Sequence, residues 1–306
     1  SGGLSERENR DTRVFRWARN GGNQGTSKSG GGDRNFEESP KVIRIRVIYF
    51  PDLGGRGVIS SRALGETDFS CYTKSMKQHL KNKTHYQTGG TCDEIIAPNS
   101  IQELAQAMRR LHESKTPYFF LGAGSNSLVM DDHWHGVVIM FDCLTELDSK
   151  GTLIRAQAGV TNTEVAEHAA DRGLSGLEWM YYLPGQIGGT TRMNASCYGG
   201  EMSSIVDKVT TVTPDGKIKK YSGRVVFGGY KKSIFAGNGE VIAEVCITTK
   251  EGDRGAIREK MVYCRNDREA KQHFLHPSCG CVFKNDHDIG VPSGVLLEES
   301  GVHSLS

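Results

Sequence analysis

Residues 118–127 read Tyr-Phe-Phe-Leu-Gly-Ala-Gly-Ser-Asn-Ser, an apolar run of strand length that passes directly into six small residues. Pro117 blocks helix before it, so the run reads as a buried strand. Gly122, Ala123, Gly124, Ser125, Asn126 and Ser127 can then expose a row of backbone N–H groups able to cradle a pyrophosphate. The alternative is a tight turn after a core strand. The loop is not a Rossmann fingerprint, because Ser127 stands where the third glycine is needed. Glu146 and Asp148 fall where a ribose-binding acid would sit. The gap from Ser127 to the apolar run at 137–140 is too short for a crossover helix, so both are set aside.

The neighbouring pattern is that of helices alternating with strands. Ser100 with Glu103 forms a capping box, and Ile101, Leu104, Ala105, Met108 and Leu111 follow at the spacing of one helical face. Thr161 with Glu164 caps a second helix that Gly173 ends. Pro214-Asp215-Gly216 reads as a hairpin turn, and 241–249 as a strand. Residues 1–40, rich in Ser, Gly, Arg and acidic residues, read as a disordered tail; 42–50 alternate like a strand.

Composition narrows the function classes. Lys+Arg 38 against Asp+Glu 36 gives a formal charge of +2, which predicts no strong pull toward nucleic acid or a membrane. No apolar run approaches the ~18 residues of a spanning helix, and no secretory signal is visible, so a cytoplasmic protein is expected. The first residue is Ser rather than Met, as in a processed chain or a fragment. The eight cysteines lack regular spacing and read as free thiols. The 38 glycines in 306 residues, about 12%, exceed the usual ~7% and imply tight turns or backbone brought close to a ligand.

Three more segments carry chemistry. The first, 183–200, includes Leu183-Pro184-Gly185-Gln186-Ile187-Gly188-Gly189-Thr190-Thr191 and Met193-Asn194-Ala195-Ser196-Cys197-Tyr198-Gly199-Gly200. So many small residues with few charges suit close approach to a flat ligand, or a packed crossing of two backbones. The second is Tyr230-Lys231, in a glycine-flanked turn that could meet a carboxylate or phosphate. The third is Cys279-Gly280-Cys281-Val282-Phe283-Lys284-Asn285, where a thiol near a lysine can act as an acid; a buried inert thiol is the alternative. His273, His276, Cys279 and Cys281 match no common zinc spacing, and no metal site is expected.

Together and in this order, the segments resemble the UDP-N-acetylenolpyruvoylglucosamine reductase family, over about residues 70–306. Lys83-Thr84-His85-Tyr86-Gln87-Thr88-Gly89-Gly90 is similar to the family's N-terminal Thr-Thr-Phe/Tyr-x-x-Gly-Gly. The Gly-x-Gly-Ser-Asn, Leu-Pro-Gly-x-x-Gly-Gly and Met-Asn-Ala…Tyr-Gly-Gly segments follow. Tyr-Arg-x-Ser and Gly-Ser-x-Phe-Lys-Asn appear with one change each. No long insertion separates residue 250 from Cys281, as in the subtype without the extra substrate loop.

The resemblance implies an α+β fold: a two-subdomain FAD-binding fold of the vanillyl-alcohol-oxidase-like type plus an incomplete α/β substrate subdomain. The expected divisions are an unassigned extension 1–69, FAD-binding subdomains 70–142 and 143–252, and a substrate subdomain 253–306. It implies that residues 122–127 hold the FAD pyrophosphate and that Gly185, Gly188, Gly189, Thr190, Asn194 and Gly199 lie along the cofactor. NADPH would be the reductant and a UDP-sugar enolpyruvyl ether the substrate, in peptidoglycan precursor synthesis, by a monomer. Tyr230, Lys231, Lys284 and Asn285 would touch substrate, with Lys271 a weaker candidate.

The resemblance also implies a stabilising cation and a proton donor, which in the family are arginine and serine. Here those positions read Lys231 and Cys281. Lysine keeps the charge without the planar fork. A thiol, with a pKa near ~8.5, can donate a proton at neutral pH. The family continues past the Ser293–Gly301 helix motif to a catalytic glutamate, which predicts a C-terminally truncated chain. The alternatives are a non-catalytic flavin-binding remnant and a related flavin oxidoreductase acting on another substrate.

Overall fold

The computed structural model describes residues 78–271, 273–280, 283, 285 and 288–301. The expected tail at 1–40 and strand at 42–50 lie outside the described residues, as do Cys281 and Lys284. Residues 78–280 belong to one unit and the described residues beyond them to a second.

In the larger unit, β1 (Gln78–His79), β2 (Thr91–Ile96), β3 (Tyr118–Leu121) and β4 (Trp134–Met140) form a sheet ordered β1-β2-β4-β3. β2 and β3 both run parallel to β4. Between β2 and β3 lies α1 (Ile101–Glu113). Ser100 accepts from the Glu103 N–H at 3.1 Å, as predicted. The reciprocal arm differs: the Glu103 carboxylate takes the Asn99 N–H at 2.9 Å, one residue before the cap. The parallel β3–β4 pair is joined through the glycine loop, with no helix between the strands.

A second sheet, ordered β11-β10-β12-β6-β5, contains β5 (Leu147–Lys150), β6 (Leu153–Gln157), β10 (Val206–Val212), β11 (Ile218–Ser222) and β12 (Val241–Thr248). Every pairing in it is antiparallel. Shorter elements lie between β6 and β10. These are α2 (Asn162–Asp171), β7 (Leu174–Ser175), α3 (Ile187–Arg192), β8 (Ser196–Cys197), β9 (Gly200–Glu201) and α4 (Met202–Ile205). β13 (Lys250–Glu251) pairs with β7 and leads into α5 (Arg254–Ala270). The predicted Thr161–Glu164 capping box is complete, Gly173 takes φ +68° after α2, and Gly216 takes φ +78° in the β10–β11 hairpin.

The face of α1 joins both sheets. Leu104, Met108 and Leu111 pack in one core with Ile96, Val137 and Ile139 of the first sheet and Val212, Val241 and Ala243 of the second. Each such side chain contributes roughly 1.5–3 kcal/mol on burial, which outweighs the small differences in helix propensity. α2 and α5 cover the second sheet through Val165, Ala169, Ile257 and Met261. Arg155 on β6 gathers Glu146, Asp148 and Glu244. The two acids set aside as ribose ligands are thus occupied within the sheet.

The smaller unit contains α6 (Ser293–Glu299), whose first N–H, from Ser293, is accepted by the Asn285 carboxamide oxygen at 3.0 Å.

Candidate functional site

The glycine loop after β3 and the small-residue segment before α3 meet. Ser125 Oγ donates to the Pro184 carbonyl oxygen at 3.2 Å. A Cβ on Gly185 would stand 3.0 Å from the same hydroxyl, so glycine lets the two loops approach. Gly124, at φ +68°, packs on the N-terminal segment, where a Cβ would lie 2.6 Å from Thr84 Cα. Gly280 joins the cluster: its Cβ direction points to Ser125 O at 3.7 Å and Asn126 Oδ1 at 3.9 Å. Among the described residues, none accepts a hydrogen bond from the N–H groups of residues 122–127. Unused main-chain donors in a bend of small residues suit phosphate oxygens.

The 183–200 segment divides by role. Gly188 is a backbone crossing: its N–H donates to Ala158 O at 3.0 Å, and a Cβ would meet the Ala158 methyl at 2.8 Å. Gly189 and Gly199, by contrast, face open space, with nothing within 4 Å of a built Cβ. Thr190 donates to Asn162 Oδ1 at 2.9 Å, and Asn162 returns Nδ2 to Leu183 O at 3.2 Å. Asn194 is fully buried at φ +44°. Its amide donates to Glu201 at 2.6 Å and Gly229 O at 3.0 Å and accepts from Ser203 N at 2.9 Å. The Asn194 side chain is therefore an internal brace, and only its main chain is left to meet a cofactor.

Gln186 went unnoticed in the sequence, although a polar side chain inside an apolar, glycine-rich run was the available signal. It is buried, and Nε2 donates to Asp142 at 2.9 Å. Oε1 has no partner among the described residues and lies 3.1 Å from where a Gly122 Cβ would be. A buried acceptor left open beside unused N–H donors fits a polar, ring-bearing dinucleotide.

The Tyr230-Lys231 turn is held from both sides. Asn194 binds Gly229 O, and Ser233 Oγ donates to Arg192 O at 2.5 Å. Lys231 sits at φ +55°, half-buried, with its ammonium 5.7 Å from the Tyr230 ring centre. Burial pushes the nearby Cys197 thiol up, against the pull of Arg268 and Lys231. Arg268 was also missed. It continues the buried α5 face of Ile257, Met261 and Cys264, donates to Trp179 O and Cys197 Sγ at 3.2 Å each, and stacks 4.8 Å from the Tyr198 ring centre. Tyr198 OH in turn donates to Asp267 at 2.7 Å, and Lys271 pairs with Asp267 at 2.8 Å.

Beside Leu183 and Pro184 lies a cleft of about 310 Å³ walled by His85, Tyr181, Tyr182 and Phe274. Tyr182 stacks under Arg265 at 4.9 Å. Aromatic walls with one cationic edge suit a planar ring.

A family profile described as an FAD binding domain matches residues 92–222. The chain is 35% identical over 223 residues to UDP-N-acetylenolpyruvoylglucosamine reductase 2 of Bacillus cereus, covering 73% of this chain and 72% of the relative. It is 34% identical over 227 residues to UDP-N-acetylenolpyruvoylglucosamine reductase of Listeria innocua, covering 74% and 76%. Among solved structures, UDP-N-acetylenolpyruvylglucosamine reductase of Thermus caldophilus superposes with a TM-score of 0.64 at 31% identity, over 74% of this chain and 79% of that one.

Proposed function

The chain belongs to the UDP-N-acetylenolpyruvoylglucosamine reductase family, and on that footing we propose that it reduces UDP-N-acetylglucosamine enolpyruvyl ether to UDP-N-acetylmuramate with electrons from NADPH. It is a flavoprotein oxidoreductase of α+β fold, with FAD as its cofactor. FAD, when bound, carries a hydride from NADPH to C3 of the enolpyruvyl group.

The N–H groups of residues 122–127 would hold the pyrophosphate oxygens, Gly189 and Gly199 would leave room for the cofactor's flat surface, and Gln186 Oε1 would be available to a ring N–H. Hydride addition at C3 leaves negative charge at C2, spread into the adjacent carboxylate. The Lys231 ammonium, fixed by its braced turn, stabilises that charge more effectively away from water than in it. The Cys281 thiol donates the proton that completes C2. Tyr230, Lys284 and Asn285 position the substrate.

The β1-β2-β4-β3 sheet and the β11-β10-β12-β6-β5 sheet support subdomains 70–142 and 143–252, followed by a substrate-binding part at 253–306. Among the described residues, no helix is long and apolar enough to cross a membrane. A cytoplasmic monomer supplying cell-wall precursors, and through them cell shape and division, accords with this chemistry.

The Ser125–Pro184 bond carries the reading, because it joins the two loops on which the cofactor would lie. The purified chain should retain FAD and oxidise NADPH only when the enolpyruvyl sugar is added. A folded preparation that retains no FAD, or whose NADPH oxidation ignores the sugar, contradicts it.

A further inference from the structure

Asp93, His133 and His135, none of them assigned a role above, stand together where β2 meets the start of β4. One ligand atom from each lies within 4.8 Å of the others. β2 and β4 place them there. Cys92, which pairs with Trp134, is fully buried, so alternation along β2 turns Asp93 to the opposite face. His133 and His135 flank Trp134 at the start of β4, and both imidazoles reach the side that Asp93 occupies. The two rings meet edge to face at 4.6 Å.

His133 is held at both nitrogens. Nε2 lies 2.9 Å from Asp93 Oδ1, and Nδ1 lies 2.7 Å from Thr91 Oγ1. With its proton on Nε2, a neutral His133 donates to Asp93 and accepts from the Thr91 hydroxyl, which satisfies both contacts in the metal-free state. A metal displacing that proton engages His133, Asp93 and His135 together, and Nδ1–H, then donating to Thr91 Oγ1, fixes the ring and its tautomer.

We propose that Asp93, His133 and His135 bind one divalent late first-row cation, with zinc as its representative. Two imidazole nitrogens and one carboxylate oxygen, completed by water, form a four-coordinate set suited to zinc, whereas calcium and magnesium take oxygen donors. Bonds of ~2.0–2.1 Å place tetrahedral donors ~3.4 Å apart, so the 2.9 Å His133–Asp93 contact must widen while His135 draws in, changes within reach of small side-chain rotations. The ion clips the end of the β3–β4 connection to β2. That connection also carries the Gly89 N–H bond to Asp131 at 3.2 Å and the Gly90 N–H bond to Met130 O at 2.8 Å, so the clip stiffens the N-terminal segment packed on Gly124.

Equilibrium dialysis of the full chain against zinc chloride tests this. The parent is expected to bind one more zinc per chain than the His133→Ala/His135→Ala double variant. Zinc at a hundred times its Kd should raise the thermal midpoint of the parent alone, by roughly 5 °C. Equal stoichiometry in parent and double variant, or a parent midpoint that ignores zinc, overturns the proposal. Should the double variant not fold, Asp93→Asn decides, since it keeps size and hydrogen bonding while losing the charge. It should bind zinc at least ~10-fold more weakly, and unchanged affinity overturns the site.

Discussion

The Asn194 amide donates to the main-chain carbonyl of Gly229 at 3.0 Å, tying the end of α3 to the turn that presents Tyr230 and Lys231. The same side chain holds Glu201 and the Ser203 N–H. A residue singled out from the sequence as a cofactor neighbour thus serves to hold the lysine in place.

Replacing Asn194 by Ala removes all three bonds and leaves the Ser203 N–H and Gly229 carbonyl without them. It also forces a Cβ residue with no local amide into φ +44°. A destabilisation of about 2–4 kcal/mol is expected in chemical denaturation. Turnover should fall as well, through the loosened Lys231 turn. Asn194→Gly relieves the backbone but not the lost bonds, so it should recover only part of the stability.

Gly188 and Gly189 are adjacent in sequence and opposite in role. Gly188→Ala drives a methyl onto Ala158 where the backbones are pinned together, and should cost about 1–3 kcal/mol. Gly189→Ala meets nothing within 4 Å and sits in a helix, so it should leave stability level or slightly improved. If Gly189 lies along the cofactor, the same change weakens FAD retention. Denaturation curves combined with flavin absorbance separate the two effects, and a Gly189→Ala protein that binds FAD as the parent does would remove Gly189 from the site.

The features legible in the sequence were local. Ser100, the Thr161–Glu164 box, Gly173 and the Pro214-Asp215-Gly216 turn each act within a few residues, where cap and turn chemistry is stereochemically constrained. Strand order was not, because β12 enters between β10 and β6 by pairing across long separations. The site divides in the same way. The glycine runs announced close backbone approach, but not that Gly188 approaches Ala158 while Gly189 approaches nothing. Arg268 reaches Cys197 across 71 residues, and His133 reaches Asp93 across 40, so no window of sequence contains either pair. Such partners become neighbours only once the sheets are assembled.

Acid sensitivity should trace partly to Glu240. Burial pushes its carboxyl up, but Lys219 at 2.8 Å, Thr211 at 2.8 Å and Tyr221 at 2.9 Å together pull it below the ordinary glutamate value. A depressed native pKa stabilises the fold above the unfolded value of ~4.3, and that stability is lost as pH falls through the native value. The stability gap between the parent and Glu240→Gln should therefore be widest above about pH 5 and shrink toward pH 3. A gap that widens on acidification would mean that burial dominates the carboxylate's partners.

The proposed roles of Lys231 and Cys281 make opposite demands on the two halves of the reaction. Neither is required for electrons to reach the flavin from NADPH, since the charge that Lys231 answers and the proton that Cys281 gives both belong to the sugar. Lys231→Ala and Cys281→Ala should each reduce FAD at close to the parent rate. Both should slow sugar-dependent reoxidation by about 10²-fold or more, the scale of a lost electrostatic stabiliser or general acid. Lys231→Arg keeps the charge and adds a planar fork, so it should retain most of the reoxidation rate. Cys281→Ser should keep a donor in place and fall between parent and Ala. Stopped-flow absorbance measures the half-reactions separately. Equal loss in both for either Ala variant would assign that residue to cofactor or NADPH binding instead of to the chemistry at C2.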